Sequence, residues 1–152
     1  PRADGTIPEP ERRILLEIGA WLRANGEAIY GTRPWRTFGE GPTRVAEGAF
    51  SDTNRSPFTH EDIRFTTRGD VLYALVLAEP PDGSVAIRSL GLGDLPLAYG
   101  RPIPHPRAAS VTLLDGERPL SFRQDDAALH IRLPDGGPSA AGPRALRIRF
   151  AK

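Results

Sequence analysis

The sequence predicts a mainly β protein: an antiparallel β-sandwich of about seven or eight strands, preceded by one amphipathic α-helix. An apolar stripe with helical spacing occurs in the first 26 residues, and the stretches beyond residue 58 alternate apolar and polar side chains with the period of a strand. Sixteen glycines and sixteen prolines in 152 residues provide many turns, so the elements must be short. Short strands between regular turns are typical of a sandwich.

The predicted helix begins between Thr6 and Pro10 and ends at Gly26. Thr6 and Glu9 have the spacing of a capping box, and prolines are tolerated in a first helical turn. Gly26 is expected to close the helix in the left-handed region. One face of the helix is apolar, formed by Ile14, Leu15, Ile18, Trp21 and Leu22. This face must pack either on the sheet or on a body outside the 152 residues.

The strands are predicted from alternation and from turn residues. Residues 71–77 are apolar on both faces and form a central strand, which is expected to make a hairpin with residues 85–90. Residues 36–57 are glycine-rich and polar, and they predict a long surface loop. Further strands are predicted at 63–66, 111–114, 120–123, 127–133 and 145–150. In the last two, one set of side chains faces the core (Leu129, Ile131, Leu133, Leu146, Ile148, Phe150) and the other faces away (His130, Arg132, Arg147, Arg149).

Charge and composition exclude several classes of partner. Twenty basic and nineteen acidic side chains give a net charge of +1, so no overall field attracts nucleic acid. The longest apolar run, residues 71–78, is too short to span a bilayer, and no membrane partner is expected. The chain has no cysteine, so cysteine usage does not define its compartment. It also has no methionine and begins with proline, which is expected of a processed or incomplete piece.

Motifs of catalysis are not found in the sequence. His60, His105 and His130 lack the short spacing of metal ligands, so neither a metal nor another cofactor is predicted. No serine has a nucleophile-elbow setting, and no glycine loop fits a phosphate. The arginines beside His130 suit an anion, but solubilising a sheet face is the favoured interpretation. Trp35 and Tyr30 suit stacking on a sugar or filling an interface, so no substrate-binding residue is assigned.

Six segments, in this order, closely resemble the late part of α-L-fucosidases of glycoside hydrolase family 29. They are DGTIPE at 4–9, IGAWL at 18–22, NGEAIYGTRPW at 25–35, GEGPT at 39–43, FTHEDIRFT at 58–66 and GDVLYA at 69–74. The resemblance is most specific through Leu90 and looser to Lys152, and it covers essentially the whole chain.

This resemblance implies three regions. Residues 1–26 would be the closing helix of a (β/α)8-like catalytic barrel that is missing here, residues 27–57 a junction and surface loop, and residues 58–152 the C-terminal β-sandwich. Family members are retaining exo-glycosidases whose aspartate nucleophile and glutamate acid/base lie on the barrel. No residue of this chain corresponds to a catalytic motif, so no catalytic residue is assigned.

The expected partner is therefore the barrel of the parent protein, docked through Ile14, Leu15, Ile18, Trp21 and Leu22, and the parent substrate is a fucosylated glycan. The chain alone is expected to be non-catalytic and to support the barrel. Two alternatives stay open from the residues: a free-standing carbohydrate-binding module and a structural interaction module.

Overall fold

A computed structural model describes residues 2–44, 56–93, 106–135 and 142–151. Over these ranges the chain forms one α-helix, α1 (Glu9–Asn25), followed by a 3-10 turn (Gly26–Ala28) and nine strands. The strands are β1 (Arg33–Glu40), β2 (Ile63–Arg68), β3 (Val71–Val76), β4 (Ser84–Ile87), β5 (Ala108–Leu113), β6 (Arg118–Pro119), β7 (Phe122–Gln124), β8 (Leu129–Arg132) and β9 (Arg144–Phe150). The predicted mainly β class with a leading helix is confirmed.

The strands form two antiparallel sheets that face each other. The large sheet has the order β1-β2-β3-β9-β5-β6, and the small sheet has the order β4-β8-β7. Their inner faces share one core, because Leu146 and Ile148 of the large sheet lie in the same buried cluster as Leu129 and Ile131 of the small sheet. The predicted inward alternation of β8 and β9 is therefore correct, with Phe150 only partly buried at the margin of the core.

The predicted hairpin between residues 71–77 and 85–90 is wrong. β4 lies in the small sheet and pairs with β8, and Arg88–Leu90 form a 3-10 turn. The reason is that every residue of β3 pairs with β2 on one side and with β9 on the other, so β3 has no free edge. The segment between β3 and β4 is therefore a crossover between sheets.

The predicted surface loop over residues 36–57 is also partly wrong, since β1 runs through its first residues as an edge strand of the large sheet. β1 pairs with β2 and contains an irregularity between Pro34 and Gly39. Trp35 packs on the core from this strand. Proline and glycine, which mark loops in most sequences, are tolerated here because an edge strand needs partners on one side only. Residues 45–55, including Phe50, lie outside the described residues.

The ends of α1 differ from their predicted chemistry. The helix begins within the predicted range, but Pro8 precedes it without a side-chain cap, and Thr6 instead bonds to Asp4. Gly26 has φ −60°, so it does not adopt the left-handed conformation, and the backbone continues into the 3-10 turn. A Cβ at Gly26 would lie 2.8 Å from the ring of Tyr30, so a larger residue there would require this exposed ring to move.

A fully buried carboxylate holds the segments that lead into β2. Asp62 accepts hydrogen bonds from the backbone N–H and the hydroxyl of Thr59 at 2.7 and 3.0 Å, and from the same two groups of Thr43 at 3.0 and 2.7 Å. Burial acts to raise the pKa of Asp62, but these hydrogen bonds outweigh it and the pKa lies below its ordinary value. Asp62 is therefore an ionised structural anchor.

Asp62→Asn should lower the free energy of unfolding by about 2 kcal/mol at pH 7, because an amide offers one acceptor oxygen to four donors. Since folding lowers the pKa of Asp62, its contribution is complete above the ordinary pKa of about 3.9 and is lost as pH falls through the lower folded value. Urea unfolding at pH 7 and pH 3 checks this. The difference between wild type and variant should shrink at pH 3, and an unchanged difference would contradict the role of the charge.

Candidate functional site

The C-terminal end of α1 is fixed to the outer face of the large sheet. Trp21 packs against the buried cluster that includes Tyr73 and Ala145. Its indole N–H donates a hydrogen bond of 2.8 Å to the carbonyl of Pro143. At Gly142, which has φ 129°, a Cβ would lie 2.8 Å from the indole ring, so only glycine permits this approach. Trp21 thus already has a partner within the chain.

The 3-10 turn after α1 is held to the same face by polar contacts. The Tyr73 hydroxyl donates to Glu27 at 2.7 Å, and Arg147 donates to the other oxygen of Glu27 at 3.0 Å. Thr66 donates to the carbonyl of Ala28 at 2.6 Å. Partial burial acts to raise the pKa of Glu27, but the Tyr73 hydrogen bond and the arginine charges keep the pKa below its ordinary value. The junction is therefore a fixed attachment point rather than a free linker.

The N-terminal half of α1 extends beyond this attachment with its apolar side chains open. Ile14, Leu15 and Ile18 are 55%, 54% and 50% exposed, whereas Trp21 and Leu22 are partly buried. The predicted apolar face is thus divided into an anchored part and an open part. Leu16, which helical spacing places away from this face, is 55% exposed as well. Contiguous apolar side chains on a surface mark a site of association.

None of the described carboxyls with a displaced pKa has the raised pKa that the acid of a glycosidase pair needs. Such a pair needs one carboxyl with a raised pKa beside an ionised one. Glu27 and Glu117 are brought together, but Arg147 binds both of them. Every described carboxyl with a displaced pKa is displaced downward: Asp4, Glu27, Asp62, Glu79 and Asp125. No cluster of described His, Asp or Glu residues is arranged to hold a metal ion.

The predicted row of arginines beside His130 is not one surface. His130 and Arg132 lie on β8 of the small sheet, whereas Arg147 and Arg149 lie on β9 of the large sheet. Because the inner faces of the two sheets share the core, the outer faces point in opposite directions. Arg147 is also largely covered, with its side chain 17% exposed. His105, one of the three histidines considered as metal ligands, is outside the part of the chain that the structure describes.

The two aromatic residues considered for sugar stacking differ in their surroundings. Trp35 contacts Phe65 edge to face, with ring centroids 5.2 Å apart, and the guanidinium of Arg36 lies 4.4 Å above the Trp35 ring. Trp35 therefore fills the edge of the core. Tyr30 is 60% exposed next to the junction.

No helix in the described ranges has the length and apolar character needed to cross a membrane.

Comparison with known proteins adds relatives that the geometry alone does not give. No protein-family profile matches the chain. It is 30% identical to mouse tissue α-L-fucosidase over 152 residues, which cover 99% of this chain and 26% of that protein. It is 40% identical to the α-L-fucosidase of Dictyostelium discoideum over 94 residues, or 62% of this chain and 16% of that protein. The chain thus spans about a quarter or less of the length of these relatives.

Solved structures agree with the described fold. The α-fucosidase of Thermotoga maritima superposes with a TM-score of 0.61 at 25% identity, covering 98% of this chain and 28% of that one. α-L-Fucosidase isoenzyme 1 from Paenibacillus thiaminolyticus gives a TM-score of 0.63 at 21% identity, covering 100% and 29%, and supports the fold alone.

The fold and these relatives define the class first: a β-sandwich with a leading helix, of the kind found as one region of glycoside hydrolases. Within that class, the chain is a homologue of the C-terminal part of the α-L-fucosidases of glycoside hydrolase family 29. This agrees with the family resemblance of the six sequence segments.

Proposed function

We propose that this chain is the non-catalytic C-terminal region of an α-L-fucosidase, in which it supports the catalytic barrel by docking through the open face of α1. The parent enzyme would hydrolyse α-L-fucosyl linkages of glycans. In this proposal residues 1–26 close the barrel, residues 27–57 form the junction and contribute β1 to the supporting sandwich, and residues 58–152 form the rest of that sandwich. The proposal goes beyond the observed similarity, which extends over about a quarter of each relative.

One observation carries the proposal: α1 is anchored at one end and open along the rest of its apolar face. Trp21 and Glu27 hold the C-terminal end to the sandwich, while Ile14, Leu15 and Ile18 are half exposed. Each such side chain contributes about 1.5–3 kcal/mol when fully buried. An anchored helix with that much uncovered apolar surface is typical of one half of an interface.

An assay of the 152-residue chain tests the non-catalytic part of the proposal. We expect no release of aglycone from an aryl α-L-fucoside, because the described carboxyls with displaced pKa values are all held ionised and none is poised to donate a proton. The measurement is continuous absorbance of the released phenol, with mouse tissue α-L-fucosidase as the positive control. Turnover that follows the chain through purification would contradict the proposal.

A pair of matched variants in the longer parent protein tests the docking face. Ile14→Ser/Ile18→Ser should weaken the contact between helix and barrel by about 3 kcal/mol, because two half-exposed side chains lose the surface that the barrel would cover. The midpoint temperature of thermal unfolding and the fucosidase activity should both fall. Arg13→Ser/Glu17→Ser has the same spacing and replacement on the polar side, and it should change neither. Equal effects of the two pairs, or no effect of the first, would show that the barrel does not use this face.

A further inference from the structure

The small sheet carries a hollow on its outer face, on the opposite side of the sandwich from α1. Its volume is about 480 Å3, and its floor includes Ala86, which pairs with His130 in the sheet. Arg132 and Ser84 lie along one side as the next cross-strand pair on the same face of the sheet. The segment that carries His60 and Glu61 lines the hollow from outside the sheet. Ala86 is a small side chain on the edge strand β4, and it leaves a space beside larger polar ones.

Most charged groups around the hollow are already matched. Glu61 bonds to Arg88 at 2.6 Å, and Asp125 accepts from both Arg123 and His130. The backbone N–H groups of residues 127 and 128 also donate to Asp125 and, with these side chains, keep its pKa well below the ordinary value. Asp125 is therefore ionised and committed to its own neighbours.

Arg132 differs from the other cations of the hollow. Within the described residues its guanidinium contacts the Ser84 hydroxyl at 3.3 Å and forms no ion pair with a carboxylate. A guanidinium binds carboxylate and sulfate groups through two parallel hydrogen bonds. Of the two described arginines that line the hollow, Arg132 is therefore the one available for an anionic group.

The remaining lining limits what else the ligand contains. A volume of about 480 Å3 falls in the range of small-molecule sites and is far larger than a simple anion needs. Hydroxyl and carboxylate groups of Ser84, Ser121 and Asp82 offer partners for hydroxyls, while Ala86 and Phe122 offer apolar surface. A sugar ring has both hydroxyls and an apolar C–H face, so it fits this mixed lining.

We propose that this hollow binds an acidic sugar, a pyranose unit that bears a carboxylate or a sulfate, with Arg132 holding the anionic group above Ala86. The anionic group would pair with the guanidinium, and the ring would lie over the floor of the sheet. The site does not depend on the proposed docking of the barrel, because it lies on the other sheet.

Nuclear magnetic resonance titration of the 15N-labelled chain tests the proposal with four probes: glucuronate, glucose 6-sulfate, glucose and inorganic sulfate at constant ionic strength. We expect an acidic sugar to shift amides of β4, β7 and β8 with a Kd of about 1 mM, which corresponds to about 4 kcal/mol of binding free energy. Glucose and inorganic sulfate should bind at least about tenfold more weakly, because glucose lacks the anionic group and inorganic sulfate lacks the sugar ring. The two acidic probes distinguish a carboxylate from a sulfate ligand.

Three variants assign the binding to its residues. Arg132→Gln should weaken binding of the acidic sugar at least about tenfold. Ala86→Leu should also weaken binding, because it fills the hollow while leaving the guanidinium in place. Arg149→Gln, which removes an exposed arginine from the large sheet, is the matched control and should bind as wild type does. Spectral dispersion confirms folding in each case. The proposal is overturned if neither acidic sugar shifts these amides, if inorganic sulfate binds equally well, or if Arg132→Gln binds unchanged.

Discussion

Replacing Trp21 with alanine should lower the free energy of unfolding by about 3 kcal/mol. Truncation of a buried tryptophan costs about 3–5 kcal/mol, and the lower end applies because Trp21 is only partly buried. The loss combines the packing of the indole on the cluster with Tyr73 and the hydrogen bond to the Pro143 carbonyl. Urea unfolding followed by circular dichroism measures it without relying on tryptophan fluorescence.

Two further variants separate the causes of this loss. Trp21→Phe keeps most of the packing and removes the indole N–H, so it should cost about 1–2 kcal/mol. Ile18→Ala truncates a residue of the same helix face that is 50% exposed, and it should change stability by less than about 0.5 kcal/mol. If Trp21→Ala proves as neutral as Ile18→Ala, the helix is not anchored to the sandwich in solution.

Removing Glu79 should cost about 3 kcal/mol, although its own side chain is 53% exposed. Glu79 accepts two hydrogen bonds from Arg144, at 2.8 and 2.7 Å, and the Arg144 side chain is only 2% exposed. Glu79→Ala therefore leaves a buried cation without its main counter-charge, which costs about 3–5 kcal/mol in comparable pairs. The lower end is expected because Asp115 also raises the pKa of Arg144 by its charge.

Replacing Arg144 instead should lower the free energy of unfolding much less. Arg144→Met removes the buried charge, fills the space with an apolar chain and leaves Glu79 in contact with water, so we expect a change within about 1 kcal/mol. In the double variant Glu79→Ala/Arg144→Met most of the loss caused by Glu79→Ala should be recovered. Midpoints and slopes of urea unfolding for the four proteins measure this cycle. Equal costs for the two single variants would contradict the burial of the charge on Arg144.

Local periodicity was enough to predict the class of fold and several elements. The helical stripe around Ile18 and the alternation around Ile148 correspond to α1 and β9, because each pattern depends only on which side of its own element is buried. The partner of β4 was not predictable in this way. Pairing depends on which sheet edges are still free, and β2 and β9 occupy both edges of β3.

The candidate sites were predictable to different degrees. Spacing identified the apolar face of α1, but only packing shows that Trp21 is engaged while Ile14 and Ile18 are open. The hollow was missed because distant segments assemble it. Alternation placed His130 and Arg132 on an outer face, but nothing local indicated that Ala86 and the segment of His60 would line a hollow together with them.

The two edges of the large sheet also decide how isolated copies of this chain would meet. At one edge β6 has two residues and ends in Pro119, which has no N–H to offer an added strand. At the other edge the irregular pairing of β1 interrupts the flat template that strand addition requires. Strand addition at these two edges is therefore disfavoured, and copies at high concentration should associate instead through the open apolar side chains of α1.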